Sequence, residues 1–196
     1  MNVTAHLFRI NSTNCYLIHD TESGKAQLID PALYDGKIAD IISSKGISLE
    51  YIVLTHGHYD HILGANKFRE ETGAKIAAHE LEKEYLENPG KSMTGGEIVL
   101  PDILLKENDI LTSGDVSLGV IHTPGHTKGS CCFICGEAKA VFAGDTLFKD
   151  GVGRCDLYGG DYRALIKSLE KLKSLDKSYK LYPGHGESTT LEQRLR

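Results

Sequence analysis

Apolar and polar positions along the chain fall in blocks of changing period, and the period marks the elements. Residues 3–9, 13–19 and 25–30 read as strands, the third running into "LIDPA", because successive strand side chains point to opposite faces. Over 36–45 the repeat lengthens, and Ile38, Ile41 and Ile42 line one face of an expected helix. The β-branched run "YIVLT" at 51–55 predicts a buried strand. Helical character returns over 61–72 and stops at Gly73, a residue suited to ending a helix. A strand "KIAAH", a charged helix over 80–87 and the loose segment "ENPGKSMTGG" follow, the last expected to be a mobile loop.

The second half repeats the plan. Strands are predicted at 109–113, 116–122, 130–135 and 139–143, then a glycine-rich loop, a helix at 161–174 and a strand "KLYP". No linker and no sequence repeat separates the halves, so residues 1–196 are expected to form one domain. Strand-rich sets that also carry helices predict an α/β protein, with two sheets packed face to face and helices outside.

Composition bounds the function. The chain is 40% hydrophobic and 25% charged, an ordinary globular balance. Net charge is −5 and no run of lysine or arginine forms a basic stripe, which argues against a nucleic-acid partner held by phosphate neutralisation. No stretch approaches the roughly 20 apolar residues of a membrane span. The N-terminus lacks the charged-then-apolar pattern of a secretory signal, so a cytoplasmic protein is expected. Five unevenly placed cysteines fit a reducing compartment better than a disulfide framework. "CCFIC" at 131–135 offers a C-x-x-C spacing in a strand-like run without a second pair, so buried small side chains are expected there.

The chemistry gathers at strand ends. His56, His58, Asp60 and His61 follow the strand at 51–55 directly, within "THGHYDH". In an extended segment residues i and i+2 face the same way, so His56 and His58 can grip one ion. The turn into the following helix then redirects Asp60 and His61 toward a second point. His126 in "TPGHT", Asp145 in "AGDTLF" and His185 in "YPGHG" each follow a strand beside a glycine. These seven donors are too many for one tetrahedral zinc and suit two metals.

Those four motifs resemble the ordered motifs of the metallo-β-lactamase superfamily, over nearly the whole chain. The resemblance implies a four-layer αβ/βα sandwich of two mixed sheets with helices outside and the metals at one edge. It implies that His56, His58 and His126 bind a first metal, that Asp60, His61 and His185 bind a second, and that Asp145 bridges them. Asp60 would also position the attacking hydroxide. The subfamily it most resembles is hydroxyacylglutathione hydrolase, glyoxalase II, and its short single-domain relatives. The implied cofactors are two divalent ions, zinc first and iron or manganese as alternatives, and the implied partner is a small acyl-thiol. Asp145 stands where three-histidine zinc β-lactamases carry cysteine, which speaks against antibiotic hydrolysis.

Full-length glyoxalase II has a C-terminal helical domain that helps hold glutathione, whereas this chain stops about ten residues after His185, so that contribution is expected to be missing. Within "GVGRCD", Arg154 matches a basic residue near the thiol in the family, but Asp156 replaces an aromatic. Arg154 can therefore contact substrate or simply pair with Asp156. Two rivals stay open: an iron persulfide dioxygenase holding one metal through His56, His126 and Asp145, and a metal-dependent phosphodiesterase. Among the other histidines, His6, His19 and His122 are expected to be structural, and His79 is a weak candidate for the site. Asp30, in "LIDPA", is a candidate support for a ligand.

Overall fold

The computed structural model describes residues 3–92 and 97–195. The first sheet is built from β1 (Val3–Ile10), β2 (Thr13–Asp20), β3 (Lys25–Ile29), β4 (Ser48–Leu54), β5 (Lys75–His79) and β6 (Ile103–Leu105), in that spatial order. The second holds β7 (Ile110–Ser113), β8 (Val116–His122), β9 (Cys131–Cys135), β10 (Ala140–Gly144), β11 (Lys180–Pro183) and β12 (Thr189–Thr190). Both sheets are mixed: β3 to β6 run parallel beside an antiparallel β1–β2–β3, and β10 and β11 pair parallel in an otherwise antiparallel sheet.

Alternation along the strands builds the layers. Tyr16, Ile18, Ile29, Val53 and Ala77 face the second sheet's Leu118, Val120, Phe133 and Phe142 in a core between the sheets. Their neighbours Leu17, Leu28, Ile52, Leu54 and Ile76 face outward onto Ile38, Ile42, Ala65 and Phe68. Those residues belong to α1 (Gly36–Ser44) and α3 (Ala65–Thr72). On the far side, Cys132, Val141, Ala143 and Leu181 pack against Leu172 of α5 (Tyr162–Lys173) and Leu191 of α6 (Leu191–Arg194). The order is helices, sheet, sheet, helices, the expected four-layer sandwich. Strands covered on both faces read as continuous apolar runs, as β2 does. Cys131, Cys132 and Cys135 are free and buried in β9, as the strand reading required.

The differences from the expected elements are local. The single helix expected over 61–72 is two, α2 (Tyr59–Ile62) and α3, with Leu63 and Gly64 between them. Gly64 lies so close to the chain after β3 that a Cβ there would sit 2.5 Å from the Leu33 carbonyl carbon. The helix expected over 80–87 is a 3₁₀ turn at Glu80–Glu82 followed by α4 (Lys83–Leu86). The segment expected to be a mobile loop is described through Ser92, and residues 93–96 lie outside the described residues. No helix among the described residues is long and apolar enough to cross a membrane.

Four strand ends meet at one edge of the sandwich. The segments after β4, β8, β10 and β11 carry every donor picked out from the sequence. The β1–β2 hairpin reaches the same edge through a two-residue turn, Asn11 and Ser12, both left-handed (φ 49 and 71). There Thr13 bridges to His185, and the Asn14 N–H donates to the Gly184 carbonyl at 2.7 Å, which joins the two sheets beside the site.

Candidate metal centre

The loop after β4 runs extended as far as His58 (φ −72, ψ 146) and then turns into α2. That turn places the donors in two directions. His56 and His58 converge with His126, while Asp60 and His61 converge with His185, and within each set the donor atoms lie within 4.8 Å of one another. A third set of the same size joins His56 and His61 to Asp145. Asp145 sits in the middle: its Oδ1 is 3.4 Å from His61 Nε2, and its Oδ2 is 3.6 Å from His126 Nε2 and 3.4 Å from His185 Nε2. His56, His58, His61 and His126 are buried; Asp60 and His185 are partly open to solvent.

The outer nitrogens of four imidazoles are held by oxygen acceptors. His61 Nδ1 donates to Asp30 Oδ2 at 2.9 Å. The Thr55 hydroxyl donates to that same oxygen at 2.7 Å, leaving its own oxygen to accept from His56 Nδ1 at 3.0 Å. Asp30 Oδ1 accepts from the Thr55 N–H at 2.8 Å, and Asp30 itself is left-handed (φ 49) at the end of β3. His126 Nδ1 donates to the Arg154 carbonyl at 2.7 Å, and His185 Nδ1 to the Ser12 carbonyl at 2.9 Å. With a proton fixed on each Nδ1, each Nε2 turns a lone pair inward.

Those lone pairs converge, which tests whether a cation fits. His126 Nε2 and His58 Nδ1 are 2.8 Å apart, and His61 Nε2 and His185 Nε2 are 3.3 Å apart. Neutral imidazoles so arranged repel unless a proton or a cation lies between them. His56 Nε2 is buried with no hydrogen-bond partner, as are His58 Nε2 and Asp145 Oδ1. A buried polar atom without a partner is costly, and a divalent ion bound there would satisfy His56 Nε2 and the Asp145 oxygen. The donor set of imidazoles and carboxylates suits zinc or iron.

The electrostatics divide along the same line. Burial, reinforced by neighbouring histidines, pushes His56 well below the usual imidazole range and His58 down to about 4. Burial also lowers His126. These rings are neutral at pH 7, the form that ligates. Hydrogen bonds donated to the Asp145 carboxylate and then to that of Asp60 raise His185 to about 10. Burial opposes a charge on His61, but Asp145 and Asp30 outweigh it and hold that ring well above its ordinary value. Burial likewise works to raise Asp145, and His61 and His185 override it so that the carboxylate stays charged. Two carboxylates beside these rings demand compensating positive charge, which protons supply in the absence of metal and a cation would supply in its presence.

Arg154 enters the site through its backbone. Its guanidinium lies outside, paired twice with Asp156 at 2.8 Å and 59% exposed. His79 and His122 stack on each other with centroids 4.1 Å apart, and neither belongs to a donor set; His6 stacks on His19. Asp30 holds His61 and Thr55, as its sequence position at the end of an apolar strand suggested. Ser12, Asn14, Tyr16 and Thr55 escaped the sequence reading. Asn14 Nδ2 donates to the carbonyls of Pro183 and Gly186 and Tyr16 Oη to that of Pro183, clamping the His185 loop. The polar run "NSTN" at 11–14, between two alternating stretches, was the sequence signal available for that turn.

Comparison with known proteins agrees with this geometry. A sequence profile of the metallo-β-lactamase superfamily matches residues 9–185. A hydroxyacylglutathione hydrolase of Haemophilus influenzae is 36% identical over 191 residues, covering 93% of this chain and 90% of the relative. The crystal structure of BLEG-1, described as a B3 metallo-β-lactamase, superposes with a TM-score of 0.89 at 30% identity, covering 97% of this chain and 95% of that one. A protein crystallised in a di-iron-bound form superposes with a TM-score of 0.85 at 33% identity, covering 98% and 97%. With the sandwich, the strand-end donors and the matched profile in agreement, the chain belongs to the metallo-β-lactamase superfamily.

Proposed function

We propose that the protein is a dinuclear metal-dependent hydrolase of small acyl-thioesters, of the glyoxalase II kind, working as one domain over residues 1–196. The observation that carries this reading is the central placement of Asp145, within 3.4–3.6 Å of His61, His126 and His185, where one carboxylate serves both donor sets. His56, His58 and His126 would hold the first ion, Asp60, His61 and His185 the second, and Asp145 would serve both. Bound there, two divalent ions, zinc in this reading, supply Lewis acidity and bring the pKa of water to about 7.

The chain's own residues then set the geometry. Asp60 Oδ2 faces His185 at 3.4 Å and accepts from the Thr13 hydroxyl at 3.5 Å, contacts that fix the carboxylate that would position the attacking hydroxide. A cleft of about 270 Å³ opens beside His185, lined by Phe148, Lys149, Gly151 and Glu187, a volume matched to a small acyl or thiol group. The departing thiolate is a good leaving group, so the step needs no strong acid beside it. Arg154, exposed on the segment that holds His126, offers its guanidinium to an anionic part of the thiol.

The relatives support the chemistry from two sides: one is a hydroxyacylglutathione hydrolase, and another was crystallised with two irons. The second keeps iron open as the rival metal, and the persulfide dioxygenase reading, which needs a single iron on His56, His126 and Asp145, is the second reading to test. Metal content of protein purified without added metal, assayed beside S-lactoylglutathione, β-lactams, a phosphodiester and glutathione persulfide, tests the reading. Two metals per chain with thioester turnover is the expected result. Oxygen consumption with the persulfide, or lactam or diester turnover rivalling the thioester, would overturn it.

A further inference from the structure

Glu82 touches none of the histidines, yet it joins the two loops that carry His56, His58 and His126. It closes the 3₁₀ turn after β5 and is fully buried. Its Oε2 accepts at 2.6 Å from the N–H of Gly57, the residue between His56 and His58. Its Oε1 accepts from the Thr127 hydroxyl at 2.6 Å and from the Gly129 N–H at 2.7 Å, and Thr127 directly follows His126. One carboxylate thus ties the loop after β4, in the first sheet, to the loop after β8, in the second.

The surroundings are cut to this carboxyl. A Cβ at Gly57 would lie 3.0 Å from Glu82 Oε2 and 2.6 Å from Tyr85 Cβ, and one at Gly129 would lie 2.8 Å from Glu82 Oε1. Burial pushes the acid up to about 7, against the pull of Thr127, Gly129 and Gly57. An apolar side chain would fill such a space without that desolvation cost. What the carboxylate adds is a fixed distance between the two loops.

We propose that Glu82 is a positioning residue that holds His56, His58 and His126 in register across the two sheets, so that they converge on one ion. This rests on reading those three as ligands of a single metal. Glu82→Gln keeps the shape but offers one acceptor oxygen, so one loop would face an amide N–H₂. Thr127→Val removes one donor of three and leaves Glu82 in place.

The test is made in the full chain carrying His185→Ala, where a weakened second position leaves the first to be measured by zinc competition against a chromogenic chelator. Loss of a supporting contact around a metal ligand typically costs about 10- to 100-fold in affinity. Glu82→Gln should show a loss of that order, Thr127→Val a smaller loss in the same direction, and the cobalt-loaded protein a changed absorption spectrum. A lowered Tm with zinc affinity and cobalt spectrum unchanged would make Glu82 merely structural and overturn the proposal. If Glu82→Gln fails to fold, unchanged zinc affinity in Thr127→Val overturns it equally. A parent chain without His185→Ala that binds fewer than two zincs counts against the metal reading instead, and one that binds none removes the role of Glu82 with it.

Discussion

Gly184 and Gly186 flank His185, and the structure predicts opposite outcomes when each becomes alanine. Gly184 needs space. A Cβ there would lie 2.3 Å from Asp145 Oδ1, 2.8 Å from His61 Cε1 and 3.0 Å from the Gly144 carbonyl carbon. The first distance is 0.7 Å inside the 3.0 Å limit that real contacts respect. The backbone has no room to withdraw, because the Gly184 N–H donates to Gly144 and its carbonyl accepts from Asn14, both at 2.7 Å. In Gly184→Ala, therefore, either the Asp145 carboxylate shifts or the whole His185 loop lifts. Overpacking of this kind costs about 1–3 kcal/mol of stability. A displacement approaching 1 Å at the central carboxylate is worth on the order of 100-fold in rate.

Gly186 needs only its conformation. Its φ of 76 is left-handed, and nothing lies within 4 Å of the site of a Cβ. Gly186→Ala should lose about 1–2 kcal/mol of stability and keep its metals. Thermal unfolding, metal content by mass spectrometry and thioester kcat separate the two cases. Gly184→Ala with parental metal content and kcat would refute the steric argument, as would equal metal loss in both variants.

Three further outcomes follow from the same contacts. Arg154→Ala should raise KM for glutathione thioesters with kcat held, the mark of lost uniform binding; metal content should not move, because the carbonyl that holds His126 is retained. A drop in Tm with KM unchanged would assign Arg154 to the pair with Asp156 alone. Asp30→Asn should weaken zinc binding by about 10- to 100-fold, since the amide N–H₂ must face either the Thr55 N–H, which Oδ1 serves, or the Thr55 hydroxyl and His61 Nδ1, which Oδ2 serves; chelator competition at parental affinity would remove Asp30 from the support of the site. Asp145→Ala should bind well under two metals and lose nearly all activity, whereas His185→Ala should recover activity as zinc is raised, because mass action offsets one lost outer ligand; equal loss without rescue in a zinc titration would show the bridging assignment to be wrong.

The long elements were legible because their apolar positions repeat over enough residues to fix a period. β6 and β12, with three and two residues, are too short to show one. The break at Gly64 was invisible for another reason: it is imposed by Pro31 and Leu33, some thirty positions earlier in the chain. The donors stood out by residue type, each histidine or aspartate following a strand beside a turn. Their supports did not. Glu82 lies in "ELEKEYLE" among acids that look alike in sequence, and only packing buries it. Arg154 and Ser12 act through carbonyls, which every residue has. Asp30 was half legible, as a lone aspartate closing an apolar strand.

The supports also make the two donor sets unequal. Asp30 brings a full negative charge to His61 directly and to His56 through Thr55, while His126 and His185 lean on neutral carbonyls. Around the first position His56, His58 and His126 are all buried, and Glu82 pins their loops from behind. Around the second, Asp60 and His185 have side chains 26% and 31% exposed, and the clamp on His185 comes from a hairpin in the other sheet. Among the described residues Asp60 and His185 are the most open members of the donor sets, with Asp145 next at 12%, so the sets are most accessible from that side. Openness there lets a ligand exchange without unpacking the core. Under the proposed two-ion reading, the ion held by Asp60, His61 and His185 should therefore be the one lost first and regained last on dilution and zinc addition.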